Sequence, residues 1–483
     1  MGDGPLSCSD TAVTRGPAES VGVRHNPDHA HRPDRGCVMT DSAVAVICVL
    51  LLLWAVLSRV LTRHDVTGPL LFVLAGYLLA NPEWGVLAVD VDTSIVHILA
   101  ELTLGLVLFT DASRVDVGRL RRAIRLPARL LLVGLPLTIA LGTLGAEVIF
   151  GEFGWGLALF VGAALAPTDA ALSVQVIDDD RIPRRLRLSL NVESGLNDGI
   201  ATPVVTLAIA LGATALGVGG AEGITLGQAG IELAVGVATG AVVGGIAAWA
   251  INVSALRDLS SPKTRQIAAL ATAVGVFALA VTIDGNGFIA AFVAGMTFGH
   301  VLDRDRAESS ADPSTQELGR RRNEDSTVLE VLPELGGELL ALVVWFLFGA
   351  ILMPLAFHVV EAGDLALMAG YAMLSLTMFR MIPVAVSLWG SGLPTRDVLI
   401  VGWFGPRGLA SVVFALLGVE QLGTDGGAGP AVAAIAVTVL ASVVLHGATA
   451  GPVARRYPHD GGADASDAGH VRLRPSGVHR WRR

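Results

Sequence analysis

Thirteen apolar runs, each close to the length that carries a helix across a bilayer, dominate this chain. They cover roughly residues 42–61, 66–81, 92–111, 127–150, 154–177, 186–213, 224–252, 264–283, 286–301, 338–358, 363–390, 396–418 and 429–452. In hydrocarbon every backbone N–H and C=O must be satisfied within the protein, and runs of this length do so as helices. The pattern predicts an all-α polytopic membrane protein. Hydrophobic residues make up 52% of the sequence and charged residues 16%, with a mean hydropathy of +0.62, too little charge for a soluble chain of 483 residues. The second and ninth runs are short, and the fifth, sixth, eleventh and twelfth are interrupted by Pro, Gly or charge.

Lys and Arg alternate from loop to loop. Arg114, Arg119, Arg121, Arg122 and Arg125 follow the third run, Arg181, Arg184, Arg185 and Arg187 the fifth, and Arg257, Lys263 and Arg265 the seventh. Further basic residues follow the ninth (Arg304, Arg306, Arg320, Arg321, Arg322), the eleventh (Arg396) and the thirteenth (Arg455, Arg456). The intervening loops, 82–91, 151–153, 214–223, 284–285, 359–362 and 419–428, contain neither residue type. By the positive-inside rule the N-terminus lies outside and the C-terminus in the cytoplasm of a cell membrane. Residues 1–39 are polar and aperiodic and read as a disordered tail. A start at Met39 would account for that segment, so it is expected to be dispensable. Residues 303–327 read as a charged cytoplasmic loop and 457–483 as a disordered cytoplasmic tail.

Several classes fall away. No basic, aromatic-interleaved patch suggests nucleic acid. Cys8, Cys37 and Cys48 form neither a disulfide framework nor a metal-ligand spacing. No GxxxxGK[ST] phosphate loop is present, and no cofactor or enzymatic function is expected.

The informative residues are the polar ones inside the runs. Glu193-Ser194-Gly195-Leu196-Asn197-Asp198-Gly199 lies in the sixth. Each ionisable group there costs roughly 2.5–3.5 kcal/mol on insertion scales, so two carboxylates argue for a binding role. At helical spacing Glu193 and Asn197 share one face, and Ser194 and Asp198 the adjacent one. In the fifth run Pro167 should break the helix before Thr168 and Asp169, whose hydroxyl, carbonyl and carboxylate oxygens are hard donors suited to a small alkali cation. Asp169 would also cap the half-helix that follows. The twelfth run carries a second interruption, Gly405-Pro406-Arg407-Gly408. Interrupted helices seven runs apart point in opposite directions, the pointer to an inverted-repeat transporter. Runs one to six and eight to thirteen would be the repeats. Arg407 would balance half-helix carbonyl ends. A buried Arg380, in the eleventh run, needs an anion; with Asp198 kept for the substrate, Glu193 is its natural partner, with Asn197 as a hydrogen-bond partner. Glu101 and Asp111 receive no role, Asp111 being placed at the solvated inner boundary. His97, His358 and His446 read as packed or interfacial histidines without a carboxylate partner.

Taken together, Thr168-Asp169, Glu193-Ser194, Asn197-Asp198, the stretch Gly287–Gly295, Arg380 and Gly405–Gly408 resemble the monovalent cation:proton antiporters of the bacterial NhaP and animal NHE types. The resemblance covers about 42–452. It implies a thirteen-helix inverted-repeat fold working as a homodimer, with interface helices at about 42–111 and 264–358 and core helices at about 127–213 and 363–452. It also implies the Asn-Asp pattern of electroneutral exchangers. Ala170 departs from the Pro that many relatives carry after Thr-Asp, so the break rests on Pro167.

The expected site is Asp198, Asp169, Thr168 and Ser194 with Glu193 beside them, Na⁺ held by Asp198, Thr168 and Ser194, and Asn197, Arg380 and Arg407 as the supporting polar network. Burial disfavours a charged carboxylate. Asp198 would therefore be neutralised by a proton or by Na⁺ or Li⁺ in turn, and exchange becomes obligatory. Potassium/proton exchange is the nearest alternative. An intramembrane aspartyl protease using Asp169 and Asp198 lacks its Gly-x-Gly-Asp pattern, and a channel is disfavoured by the inverted breaks.

Overall fold

The computed structural model describes residues 41–63, 66–81, 85, 87, 94–114, 125–151, 153–177, 179, 181–217, 226–311, 329, 331–359, 362–423 and 428–457. The tails at 1–39 and 458–483 and most of the loop 303–327 lie outside the described residues.

The described regular structure is entirely helical. α1 (Asp41–Arg63), α2 (Gly68–Leu79) and α3 (Ser94–Ser113) lead to α4, which runs Arg125–Phe150. α5 (Gly154–Ala164), α6 (Arg184–Leu216), α7 (Leu226–Leu256), α8 (Pro262–Thr282) and α9 (Gly287–Ala311) follow. α10 comprises Val331–Leu347, a π turn at Phe348–Leu352, and Met353–Val359. The remainder is α11 (Ala362–Leu376), α12 (Met378–Ser387), α13 (Thr395–Trp403), α14 (Leu409–Leu422) and α15 (Ala428–Arg456). Among the described residues nine helices are long and apolar enough to cross a membrane; four shorter apolar ones are Gly68–Leu79, Gly154–Ala164, Gly287–Leu302 and Leu409–Leu422. Many large apolar side chains point outward, among them Leu132, Val148, Trp249 and most of α1, as a surface solvated by lipid requires.

Proline placement explains much of the local geometry. A proline ring clashes with the carbonyl four residues earlier. In α4 and α10 the chain relieves that clash with a π turn, Leu130–Gly134 ahead of Pro136 and Phe348–Leu352 ahead of Pro354. The fifth and twelfth runs instead break completely, over 165–169 and 404–408, and the eleventh breaks at Thr377 between α11 and α12. The sixth run forms one helix, as the helical spacing of its polar residues implies. α6 passes through Pro203 without interruption. The hydroxyls of Thr202 and Thr206 bond back to the carbonyls of Asp198 (2.7 Å) and Thr202 (3.1 Å), one turn earlier on the same helix.

Glycine sets the closest packing. α7 lies along α9, and α9 along α3. Gly236, Gly240 and Gly244 face the backbone of Asn286, Ala290 and Ala294; a Cβ at Gly240 would stand 2.5 Å from the Ala290 carbonyl oxygen. On the other face of α9, Gly295 and Gly299 abut the backbone of Phe109 and Ser113. Small residues let backbones approach where burial of apolar area gives no net drive between helices. Elsewhere α5 packs between α4 and α6, and α15 against α11 and α14.

Candidate cation site at the crossing of two broken helices

The two extended segments cross. The Asp169 N–H donates to the Pro406 carbonyl at 2.8 Å. The Asp169 carboxylate receives the Ala171 N–H on Oδ1 (2.8 Å) and the Leu409 N–H on Oδ2 (3.1 Å), so it caps both its own short turn and the N-terminus of α14. Arg407, fully buried, answers the opposite helix ends: its Nη1 donates to the Ala166 (2.9 Å) and Pro167 (3.4 Å) carbonyls beyond α5, and its Nη2 to Ser375 in the last turn of α11 (3.3 Å). The glycines around it provide clearance. A Cβ at Gly405 would lie 2.5 Å from Arg380 Nε, and one at Gly408 would occupy the place of the Asp169 carboxylate.

α6 presents its heptapeptide to this crossing. Ser194 Oγ donates to the Thr168 carbonyl and accepts the Ala170 N–H, both at 2.7 Å. Asn197 Nδ2 donates to the Thr168 hydroxyl, also at 2.7 Å. Asn197 therefore supports the broken segment, where the sequence had suggested Arg380 as its partner; the break swings Thr168 against α6, which no pattern within α6 announces. Glu193 and Arg380 form a two-pronged pair, Nη1–Oε1 2.6 Å and Nη2–Oε2 2.9 Å, with each side chain 2% exposed. Both oxygens of Glu193 are taken by one guanidinium.

Asp198 differs from its neighbours. It is half-buried, and its Oδ1 is enclosed with no hydrogen-bond partner among the described residues; Asn197 Oδ1 is enclosed in the same way. Asp169 and Asp111 are near enough to act on it electrostatically. The sequence reading missed Asp111. It lies beside α6 next to Gly195, where a Cβ would be in ordinary contact with Asp111 Cβ at 3.7 Å. A glycine facing a carboxylate on another helix is a signal visible only once the helices are paired. The arrangement is thus one carboxylate with spare acceptor capacity, next to oxygen donors held in place by hydrogen bonds. A desolvated carboxylate in that position takes up a proton or a cation.

Two histidines depart from each other. His446 is buried, with Nδ1 2.9 Å from the Ser442 carbonyl and Nε2 2.8 Å from that of Trp403. Ser442 Oγ accepts the Arg407 N–H at 2.7 Å, so α15 fastens both edges of the second break. His97 corrects its expectation: it lies between two carboxylates, Glu101 on its own helix (3.3 Å) and Glu420 of α14 (2.5 Å). A pairing across helices leaves no mark in either local pattern. The side chain of His358 lies outside the described residues.

Residues 46–456 match the family described as "Sodium/hydrogen exchanger, transmembrane". The chain is 27% identical over 408 residues to the Na(+)/H(+) antiporter NhaP of Pseudomonas aeruginosa, covering 82% of this chain and 89% of that protein. It is 25% identical over 441 residues to the K(+)/H(+) antiporter NhaP of Alkalimonas amylolytica, covering 87% and 68%. The fold is similar to that of the sodium proton antiporter MjNhaP1 from Methanocaldococcus jannaschii at pH 8, with a TM-score of 0.66 at 17% identity, over 86% of this chain and 98% of that one. With the family matched from within α1 to the end of α15, the chain belongs to the transmembrane sodium/hydrogen exchangers.

Proposed function

We propose that the protein exchanges a monovalent cation for a proton across a cell membrane, with Asp198 as the single carboxylate that each neutralises in turn. One observation carries this reading. Of the carboxylates at the crossing, Glu193 has both oxygens bonded to Arg380 and Asp169 has both bonded to N–H groups, whereas Asp198 has an enclosed oxygen without a partner among the described residues. The proton and the cation compete for that oxygen, so a shared site exchanges one for the other without a separate gate. Thr168 and Ser194 would complete the cation's shell with hard oxygens, which suits Na⁺ or Li⁺. The carrier is a secondary antiporter with thirteen crossings, and the helices at about 127–213 and 363–452 move as a core against interface helices at about 42–111 and 264–358. It works as a homodimer in the lipid bilayer, with the N-terminus outside. One charge moves each way, so the cycle is electroneutral.

Potassium is a second reading of the same site, favoured by the similarity to a protein named as a K(+)/H(+) antiporter. Proteoliposomes with an imposed pH gradient test both. Addition of Na⁺ or Li⁺ should dissipate the gradient, and a response to K⁺ alone would reassign the ion. Asp198→Asn should abolish the response while the purified protein keeps its thermal unfolding profile and oligomeric state. Wild-type flux in that variant would refute the role of Asp198. An imposed membrane potential should leave the end point of exchange unchanged; a shifted end point would reject one-for-one exchange.

A further inference from the structure

The stretch Gly287–Gly295 has no part in the cation site described above, yet one of its side chains reaches α6 beside that site. Gly199, the residue after Asp198, is buried, and a Cβ there would stand 2.3 Å from Phe292 Cδ2 and 2.5 Å from its Cγ. The ring of Phe292, 7% exposed, thus occupies the notch left by a missing side chain. A second contact fixes the register of the two helices. Asn286 Nδ2 donates to the Thr206 hydroxyl at 3.2 Å, while its Oδ1 accepts the Ile289 N–H at 3.0 Å. From there Phe292 is six residues further along α9 and Gly199 seven residues back along α6. The antiparallel helices therefore meet again roughly 10 Å deeper.

Between the two contacts lies the mouth of a cavity of about 170 Å³, lined by Val205 and Thr206 of α6, Phe277 of α8, Asn286 and Phe288 at the start of α9, and Phe414 of α14. Gly285 and Gln421 bring it to the face of the loops 284–285 and 419–428. Phe277 and Phe288 meet edge to face, with ring centroids 5.2 Å apart. Phe288 and Phe292 are four residues apart on one side of α9, so Phe292 continues this aromatic wall one turn deeper, at the level of Asp198. Among the described residues the cavity wall ends at Val205 on α6 and Phe288 on α9, short of the enclosed Asp198 Oδ1. A constriction walled by apolar side chains sheds water, and an ion that would have to give up its hydration there does not cross.

We propose that Phe292, seated on Gly199, is the seal that parts the cation site from the aromatic-lined cavity; its purpose rests on the exchange reading, its geometry does not. Competition for one carboxylate couples two ions only while that carboxylate meets one face of the membrane at a time. The seal needs no moving part of its own. Phe292 belongs to the interface helices and Gly199 to the core, so a shift of one against the other lifts the ring from its notch and admits ions from the cavity. The Asn286–Thr206 hydrogen bond spans the same boundary and parts in the same movement.

Thiol accessibility tests the seal. With Cys8, Cys37 and Cys48 replaced by Ser, single cysteines at Thr206→Cys in the cavity and at Asp198→Cys below it are exposed to a membrane-impermeant methanethiosulfonate. The reagent is added to spheroplasts and, separately, to inverted vesicles; the side that modifies Thr206→Cys is the cavity side. From that side Phe292→Ala should speed modification of Asp198→Cys by roughly tenfold or more, because access no longer waits for a minor unsealed conformer. Modification of Thr206→Cys should keep its rate. Gly199→Ala, whose Cβ displaces the ring, should speed Asp198→Cys in the same way and serves if Phe292→Ala does not insert. A rate at Asp198→Cys indifferent to both substitutions, a rate raised equally at Thr206→Cys, or a Thr206→Cys modified from neither side would overturn the seal. Absence of exchange by the unsubstituted protein in proteoliposomes would refute the exchange reading, while the modification rates still decide the seal.

Discussion

The slab formed by α7, α9 and α3 and the crossing formed by the two broken segments answer the same constraint in opposite ways. In the slab the helices run unbroken and approach until glycine is the only residue that fits at their closest contacts. In the crossing the helices end early, and the freed N–H and C=O groups are satisfied by Asp169, Arg407, Ser194 and Ser442 from elsewhere in the chain. The slab is held by backbone approach at glycines, with no room for a side chain at those contacts. The crossing gains a place where a charge can be held, because fixed dipoles there replace water. Polar residues in a membrane are costly, so a protein concentrates them where the backbone is already open.

This contrast can be broken most forcefully by adding volume to the slab. Gly240→Leu would drive a side chain into the Ala290 carbonyl, where no flexible group can yield. A loss of about 3 kcal/mol or more, seen as a large fall in melting temperature in detergent, is expected, and a stability within experimental error of wild type would show that the helices can separate. In the crossing, the electrostatic counterpart is the Glu193–Arg380 pair. Glu193→Gln or Arg380→Gln alone leaves a buried charge uncompensated and should cost about 3–5 kcal/mol, while the double variant should cost clearly less than the sum. Additive losses, or strong coupling of Arg380 to Asp198 instead, would place Arg380 in the ion site. A smaller effect is expected from Asn197→Ala, which removes the donor to the Thr168 hydroxyl; a loss of about 1 kcal/mol together with weaker apparent cation affinity would sharpen the view that α6 holds the break open. Unchanged affinity would confine Asn197 to packing.

The smallest effect lies outside the membrane. Arg181 donates to Asp179 and holds its carboxyl below the ordinary carboxylate range, against the opposing influence of burial. A depressed folded-state value means that the stabilisation is present above the unfolded value near 4 and is lost as pH falls through the folded one. Solvent screening limits it, so Asp179→Asn should lower stability at neutral pH by well under about 1 kcal/mol and by nothing in strong acid. A larger loss in acid than at neutral pH would reverse the sign of the assignment.

Much of this protein follows from local rules. A run of twenty apolar residues must be a helix in lipid, a mid-run proline must disturb it, and a buried arginine must find an anion; α1 to α15, the breaks at 165–169 and 404–408 and the Glu193–Arg380 pair need nothing more. Local rules do not say that α6 continues through Pro203, and they are silent about the π turns before Pro136 and Pro354. Whether a proline kinks, bulges or breaks a helix depends on what neighbouring elements offer the freed backbone groups. The same holds for Asn197 on Thr168, for Asp111 beside Gly195, and for His97 between Glu101 and Glu420. Burial energy and helical period are properties of one segment and are written in the sequence. Which polar side chain meets which depends on how helices distant in the chain are paired, and that was decided by tertiary packing alone.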